Sequence, residues 1–78
     1  MLKPIQVKAI ENYQLYLKFN NGEERILDVR PYLQMPYYYS LKDIKEFKKV
    51  FISEYGIQWS NGKDISPHEL YDYSIPLK

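Results

Sequence analysis

One run near the C-terminal end constrains the fold more tightly than any other stretch: Ile57-Gln58-Trp59-Ser60-Asn61-Gly62-Lys63-Asp64-Ile65-Ser66-Pro67-His68-Glu69-Leu70-Tyr71. It brings together the only Trp, an Asn-Gly pair and a complete helix-start signal. Asn61 and Gly62 both tolerate positive φ, so Ser60 to Lys63 predicts a tight turn. Ser66 has the chemistry of an N-cap, Pro67 suits the first helical position, and Glu69 completes a capping box by reaching back to the cap amide. Leu70 and Tyr71 belong to the short helix that follows, and Asp64 lies just before it, where negative charge meets the positive end of the helix dipole. Trp59 and Tyr71 are expected to clamp the two ends of this run against a sheet.

Seventy-eight residues allow one domain, spanning 1–78, with an ordered core over 4–72 and a C-terminal tail over 73–78. A chain this short buries only about 60 to 65% of its unfolded surface. With no Cys, disulfides and thiolate metal sites are excluded, which is compatible with a reducing compartment. Nine Tyr, three Phe and one Trp supply the large apolar faces that a small core needs. Because a phenol requires a partner or water, many of these rings are expected to be half-buried. The formal charge of +1, with acids and bases interspersed, leaves no electrostatic footprint for DNA, RNA or an acidic membrane. No apolar run approaches the roughly 20 residues that span a bilayer. Met1-Leu2-Lys3-Pro4 has no h-region for export. The expected location is cytoplasmic, with no membrane partner.

Ile5 to Ile10 and Tyr13 to Phe19 alternate apolar and polar, the period of strands with one face on a core. Tyr13, Leu15, Leu17 and Phe19 share the inward side of the second. Glu23 to Val29 follows an Asn-Gly turn, so a hairpin is expected. A two-residue loop would set Phe19 against Glu24 and Leu15 against Asp28. A three-residue loop with Gly22 left-handed instead pairs Lys18 with Glu24, Leu15 with Leu27 and Tyr13 with Val29, and register follows the hydrophobic face. Pro31 and Pro36 bracket a single helical turn. Tyr37-Tyr38-Tyr39, read as extended chain, buries either Tyr38 or both of its neighbours. Ser40 with Asp43 predicts a capping box opening a helix of about two turns carrying Leu41, Ile44 and Phe47. Lys45, Lys48 and Lys49 complement the C-terminal end of its dipole. Val50-Phe51-Ile52 reads as a strand buried on both faces, and Asp72 to Lys78 as a frayed tail. The fold class is therefore α+β: a small antiparallel sheet built from two hairpins, with one short helix between them and a C-terminal helical turn.

The chemistry of catalysis is poorly represented. His68 is the only His and lacks a second His one turn on, so it fails the zincin pattern, and its place in the first helical turn predicts exposure. No Ser lies in a nucleophile elbow. Asp28, Asp43 and Asp64 would have to converge to hold a divalent cation, yet each has a local role at a strand end, a cap or a helix start. The three glycines, at 22, 56 and 62, belong to turns, which leaves no phosphate loop. Catalytic, cofactor and metal sites are accordingly expected to be absent. Two readings of the surface remain. Tyr covers much area at low entropic cost, and three adjacent tyrosines cannot all enter so small a core, so Tyr37, Tyr38, Tyr39 and Tyr16 are the candidate partner-binding residues. The partner is another small protein or a second copy of the chain. The alternative is single-stranded or regulatory nucleic acid, stacked on a hairpin face of Tyr16, Lys18, Arg25 and Ile26 near the tyrosine run. Glu23, Glu24 and the near-zero charge argue against it.

Three motifs carry a family resemblance: Tyr-x-Leu-x-Leu-x-Phe-x-Asn-Gly-Glu at 13 to 23, Leu-x-Asp-x-x-x-Phe-x-x-Val at 41 to 50, and, most specific, Trp-x-Asn-Gly-x-Asp-Ile-x-Pro-x-x-Leu-Tyr at 59 to 71. From about Ile5 to Tyr71 the chain resembles a bacterial family catalogued as Domain of Unknown Function 2442. The resemblance implies a small α+β domain, in some members followed by a helix-turn-helix segment, in others encoded beside another small protein as toxin and antitoxin pairs are. It supplies no catalytic residues. The expected function is a non-enzymatic protein-interaction module, the antitoxin-like or adaptor half of a two-gene pair. The chain ends at Lys78 without a helix-turn-helix extension, which argues against direct promoter binding.

Overall fold

The computed structural model describes residues 1–54 and 56–77. Strands β1 (Pro4–Ile10), β2 (Gln14–Phe19) and β3 (Glu24–Asp28) come first, followed by two 3-10 helices (Arg30–Gln34 and Pro36–Lys42) and the single turn α1 (Ile44–Phe47). Then come β4 (Phe51–Ser53), β5 (Gly56–Gln58), β6 (Asp64–Ile65), α2 (Pro67–Tyr73) and β7 (Ile75–Pro76). The class is α+β. The strands divide between a four-stranded sheet in the order β1-β2-β3-β7 and a three-stranded sheet in the order β4-β5-β6, with every pair antiparallel.

The alternation in β2 and β3 builds the core. Leu15, Leu17, Phe19 and Leu27 point inward and are fully buried, each burial stabilising by about 1.5–3 kcal/mol. The register is that of the three-residue loop: Leu15 lies opposite Leu27, Lys18 opposite Glu24, and the Val29 amide donates to the Tyr13 carbonyl at 2.9 Å. Gly22 takes the left-handed conformation, φ +90°. Onto this face pack Tyr32, Leu33, Tyr38, Leu41 and Phe47 from the connecting segments, and Ile57, Trp59, Ile65 and Leu70 from the second half of the chain.

Several local expectations are corrected. β2 begins at Gln14, and Tyr13 lies in the preceding turn at φ 57°, a conformation that strains a bulky residue by about 1–2 kcal/mol. Tertiary contacts hold it there: the ring packs edge-on against Phe47 at 5.1 Å and the hydroxyl donates to the Lys42 carbonyl. A register shift between Pro4 and Gln6 sets buried Pro4 opposite Phe19 and leaves Ile5 exposed. The cap of α1 is Asp43, which accepts from the Lys45 amide at 3.0 Å, and Ser40 stays in the second 3-10 helix. Extended backbone at Asp43, ψ 113°, separates the two helical pieces, so α1 is one turn rather than two. Phe51 and Ile52 lie on the edge strand of a sheet too small to cover both faces, and both side chains are exposed.

The C-terminal run matches its local signals with two changes. Ser66 caps α2 by accepting from the Glu69 amide at 3.4 Å, but the Glu69 carboxylate accepts from the Tyr32 hydroxyl at 3.0 Å instead of turning back to the cap. Trp59 and Tyr71 grip different elements. The indole of fully buried Trp59 donates to the Phe47 carbonyl at 2.8 Å, whereas Tyr71 packs edge-on against Phe19 at 5.3 Å and donates to Glu23 at 2.6 Å. Past α2 the expected frayed tail contains β7, where Pro76 and Ile75 lie opposite Arg25 and Ile26. What draws it in is Arg25, a charged side chain on the inward face of β3 that is only 8% exposed. Its guanidinium donates to the Ser74 hydroxyl at 2.7 Å, the Ser74 carbonyl at 2.8 Å and Glu23 at 2.7 Å, and it stacks 4.2 Å from the Tyr71 ring centroid. A buried charge requires such saturation.

Candidate interaction surface

The tyrosine run is sorted by the geometry of a 3-10 helix. Three residues per turn superpose positions i and i+3, so Tyr38 and Leu41 form one stripe, Tyr37 and Ser40 a second, and Tyr39 and Lys42 a third. Pro36 starts this helix, and its single apolar stripe turns to the core. Tyr38 is therefore a core residue and not a partner-binding one: it is 9% exposed, its hydroxyl donates to the Asp64 carbonyl at 2.9 Å, and its ring meets Tyr32 edge-on at 5.3 Å. Burial, aided by the Glu69 charge, pushes its phenol up to about 12. Burial likewise raises the Tyr32 phenol, reinforced by its hydrogen bond to Glu69.

Tyr37 and Tyr39 flank the outward ridge and are half-exposed. Each carries a lysine: the Lys63 ammonium lies 4.3 Å from the Tyr37 centroid and the Lys42 ammonium 4.4 Å from that of Tyr39. Such cation–π contacts contribute about 0.5–1 kcal/mol at exposed sites. The Asn61 amide donates to Ser40 at 2.6 Å, fastening the Asn61-Gly62 turn to the same helix. The patch is thus rigid, aromatic and amphipathic. Its charge is locally balanced, because Lys42 precedes Asp43 and Lys63 precedes Asp64.

Tyr16 lies elsewhere. It alternates with core residues Leu15 and Leu17 and so faces outward from the four-stranded sheet, away from the tyrosine run. Its hydroxyl donates to Glu24 at 2.5 Å, which raises the phenol, with partial burial and the Glu24 charge adding to the effect. Beside it runs an open groove of about 500 Å³ lined by Gln6, Val7, Lys8, Tyr16, Val50, Phe51 and Ile52. Arg25 does not join Tyr16, Lys18 and Ile26 on a hairpin face, since it points into the core. Exposed Phe51, Ile52 and Ile75 were missed in the sequence, where apolar character argued for burial or fraying. The outward placement of Ile26 was readable from its alternation with Leu27.

Asp28, Asp43 and Asp64 do not converge. Asp28 is held by Arg30 at 2.8 Å, and its carboxyl is lowered first by that hydrogen bond. Asp43 caps α1. Among the described residues no three His, Asp or Glu side chains cluster as a metal site would need. His68 is exposed beside a hollow of about 170 Å³ lined by Met1, Leu2, Pro67 and Tyr71. A third hollow, about 390 Å³, opens between β3, the first 3-10 helix and α2, where Glu69 is already occupied by Tyr32. No helix among the described residues is long and apolar enough to cross a membrane.

The sequence profile of the family described as protein of unknown function, DUF2442, matches residues 4–76, nearly the whole chain. The chain belongs to this family. DUF2442 therefore covers both sheets, the tyrosine run and β7 together. No curated protein and no solved structure matches the chain.

Proposed function

We propose that this DUF2442 chain is a non-enzymatic protein-interaction module that binds another small protein through Tyr37 and Tyr39. The observation that carries this is the division of labour within the 3-10 helix: Tyr38 anchors the segment in the core while Tyr37 and Tyr39 stand on either side of it, each beneath a lysine. Rings presented rigidly lose little entropy on binding, and Tyr is enriched among interface hot spots. The family resemblance adds the finer reading of an antitoxin-like or adaptor half of a two-gene pair acting in the bacterial cytoplasm. The test is capture of a partner by the tagged chain from native lysate, followed by calorimetric titration of the chain with the purified small protein so obtained. Tyr37→Ala and Tyr39→Ala should each weaken binding at least about tenfold, with a melting temperature lowered by only about 2–8 °C as the lysine contact is lost. Unchanged affinity in both variants would sink this assignment.

Single-stranded nucleic acid is the second reading, favoured by the same two rings with their adjacent cations. The Asp that follows each Lys opposes a polyanion. Binding of a labelled oligonucleotide that weakens steeply with salt and disappears in Tyr37→Ala would establish it in place of the protein partner.

A further inference from the structure

The four-stranded sheet has a second face. Its inward side carries the core, and its outward side presents Lys8, Tyr16, Ile26 and Ile75 as one row across all four strands, each directly opposite the next. Ile75 is 70% exposed. Phe51 and Ile52, both exposed, flank the Lys8 end of the row across the open groove. Apolar side chains joined in this way form a patch of the size that is often functional on a monomer.

The charges around the row are sorted. Outward-facing Lys8 and Lys18 belong to β1 and β2, while outward-facing Glu24 and Asp28 belong to β3, with Asp28 paired to Arg30. Arg25, the remaining cation of β3, points inward. The face is therefore basic on one side and carries one uncompensated carboxylate, that of Glu24, on the other, where it accepts from the Tyr16 hydroxyl, and that polarity selects a partner. A two-fold axis parallel to the strands, between β2 and β3, lays each β2 over the other copy's β3. Lys18 then faces Glu24 and Tyr16 faces Ile26 in both directions. A two-fold axis across the strands would instead set lysine over lysine.

We propose that this face binds a second copy of the chain, the two sheets stacking about the strand-parallel axis. Stacked sheets lie about 10 Å apart, a gap that Lys and Glu side chains span from opposite sides. Four strands about 4.8 Å apart and about five residues long give a footprint near 300 Å² per copy. Phe51 and Ile52 extend it, to a total buried area of roughly 800 Å², below the range of about 1,200–2,000 Å² for stable complexes. The dimer is accordingly weak and reversible. A net charge of +1 opposes it little.

Sedimentation equilibrium on Lys18→Glu, on Glu24→Lys and on their equimolar mixture tests this. Each variant alone carries like charges along the row, and its dissociation constant should rise at least about tenfold. The mixture should recover association, since the acidic row of one variant meets the basic row of the other, a recovery that a folding defect cannot produce. Ile26→Ser, checked for native circular dichroism, should also abolish the dimer. A wild-type chain that stays monomeric up to about 1 mM would overturn the proposal. So would a dimer that survives both Ile26→Ser and the charge reversals. A dimer lost in Tyr37→Ala but kept in Ile26→Ser would overturn it too, by placing self-association on the tyrosine patch.

Discussion

Two turns of the molecule are the same object in different settings. In Phe19-Asn20-Asn21-Gly22-Glu23 and in Trp59-Ser60-Asn61-Gly62-Lys63, the aromatic amide donates to the fifth residue's carbonyl at 2.8 Å and the glycine amide to the aromatic carbonyl at 2.9 Å. The Asn side-chain oxygen accepts from the fifth residue's amide, at 3.0 Å in the first and 3.1 Å in the second. The glycines have φ +90° and +91°, and both aromatics are fully buried. What differs is the support. The first turn closes strands of six and five residues, so a ladder of backbone bonds holds it, aided by side-chain ties from Asn20 to Met1 and Lys3 and from Tyr71 to Glu23, whereas the second closes strands of three and two. That shorter unit is fastened from outside by four side chains: Trp59 to the Phe47 carbonyl, Asn61 to Ser40, Tyr38 to the Asp64 carbonyl, and, at 3.5 Å, Ser60 to Glu46. Both turns thus carry tertiary anchors, but only the first also has long strands behind it, so the second depends on its anchors more heavily.

The largest expected effect is at the aromatic position. Phe19→Ala should cost about 3–5 kcal/mol, and Trp59→Ala more, because it also strands the Phe47 carbonyl in the core. Urea unfolding followed by far-UV circular dichroism measures both, and a smaller loss for Trp59→Ala would break the distinction. Next comes Gly56→Ala. A Cβ there would lie 2.3 Å from the Ile65 carbonyl oxygen at φ +114°, so the backbone of the second sheet must move, at a cost of about 3 kcal/mol or more. Gly22→Ala and Gly62→Ala meet no atom within 4 Å, and each should cost only the left-handed conformation, about 1–2 kcal/mol. Equal losses at those two positions would sharpen the view that the turns are intrinsically alike.

An alkaline titration probes the Tyr38 anchor of the second turn. The Tyr38 phenol is raised from 10.0 to about 12, so the folded state favours its protonated form. Its contribution is complete below pH 10 and is lost as pH climbs toward 12. Stability should fall over that window, and Tyr38→Phe should flatten the fall while lowering stability at neutral pH by about 1 kcal/mol through the lost bond to Asp64. An unchanged alkaline limb would show that the phenol does not hold β6. The smallest effect is expected at Asn. Asn21→Ala should cost about 0.5 kcal/mol and Asn61→Ala about 1 kcal/mol, because the Asn21 amide donates only to exposed Glu23 within its own turn, whereas the Asn61 amide ties its turn to Ser40. Thermal midpoints that fall equally would remove that anchor from the account.

The first hairpin was legible down to its register, because alternation and turn chemistry act on neighbouring residues and agree. The start of α2 at Ser66 and Pro67 was legible for the same reason. The candidate interface was legible only in part. Extended-chain alternation left the tyrosine run ambiguous, and the 3-10 helix resolved it by turning Tyr38 toward Asp64, a partner 26 residues away. Phe51 and Ile52 looked like core by composition, and their exposure follows from the size of a sheet that no short segment reveals.

Taken alone, then, the sequence determined the α+β class, the Gly22 turn with its register, the Asn61-Gly62 turn and the capped start of α2. These depend on contacts within a few residues, where backbone preference and side-chain spacing suffice. Tertiary structure decided the rest: Arg25 inside, Tyr38 inside, Tyr16 on the far side of the sheet from Tyr37 and Tyr39, and β7 drawn onto β3 by Ser74. Each of those outcomes rests on a hydrogen bond or a covering face supplied by residues distant in the chain. Burial of a polar or aromatic group is settled by whether such a partner arrives.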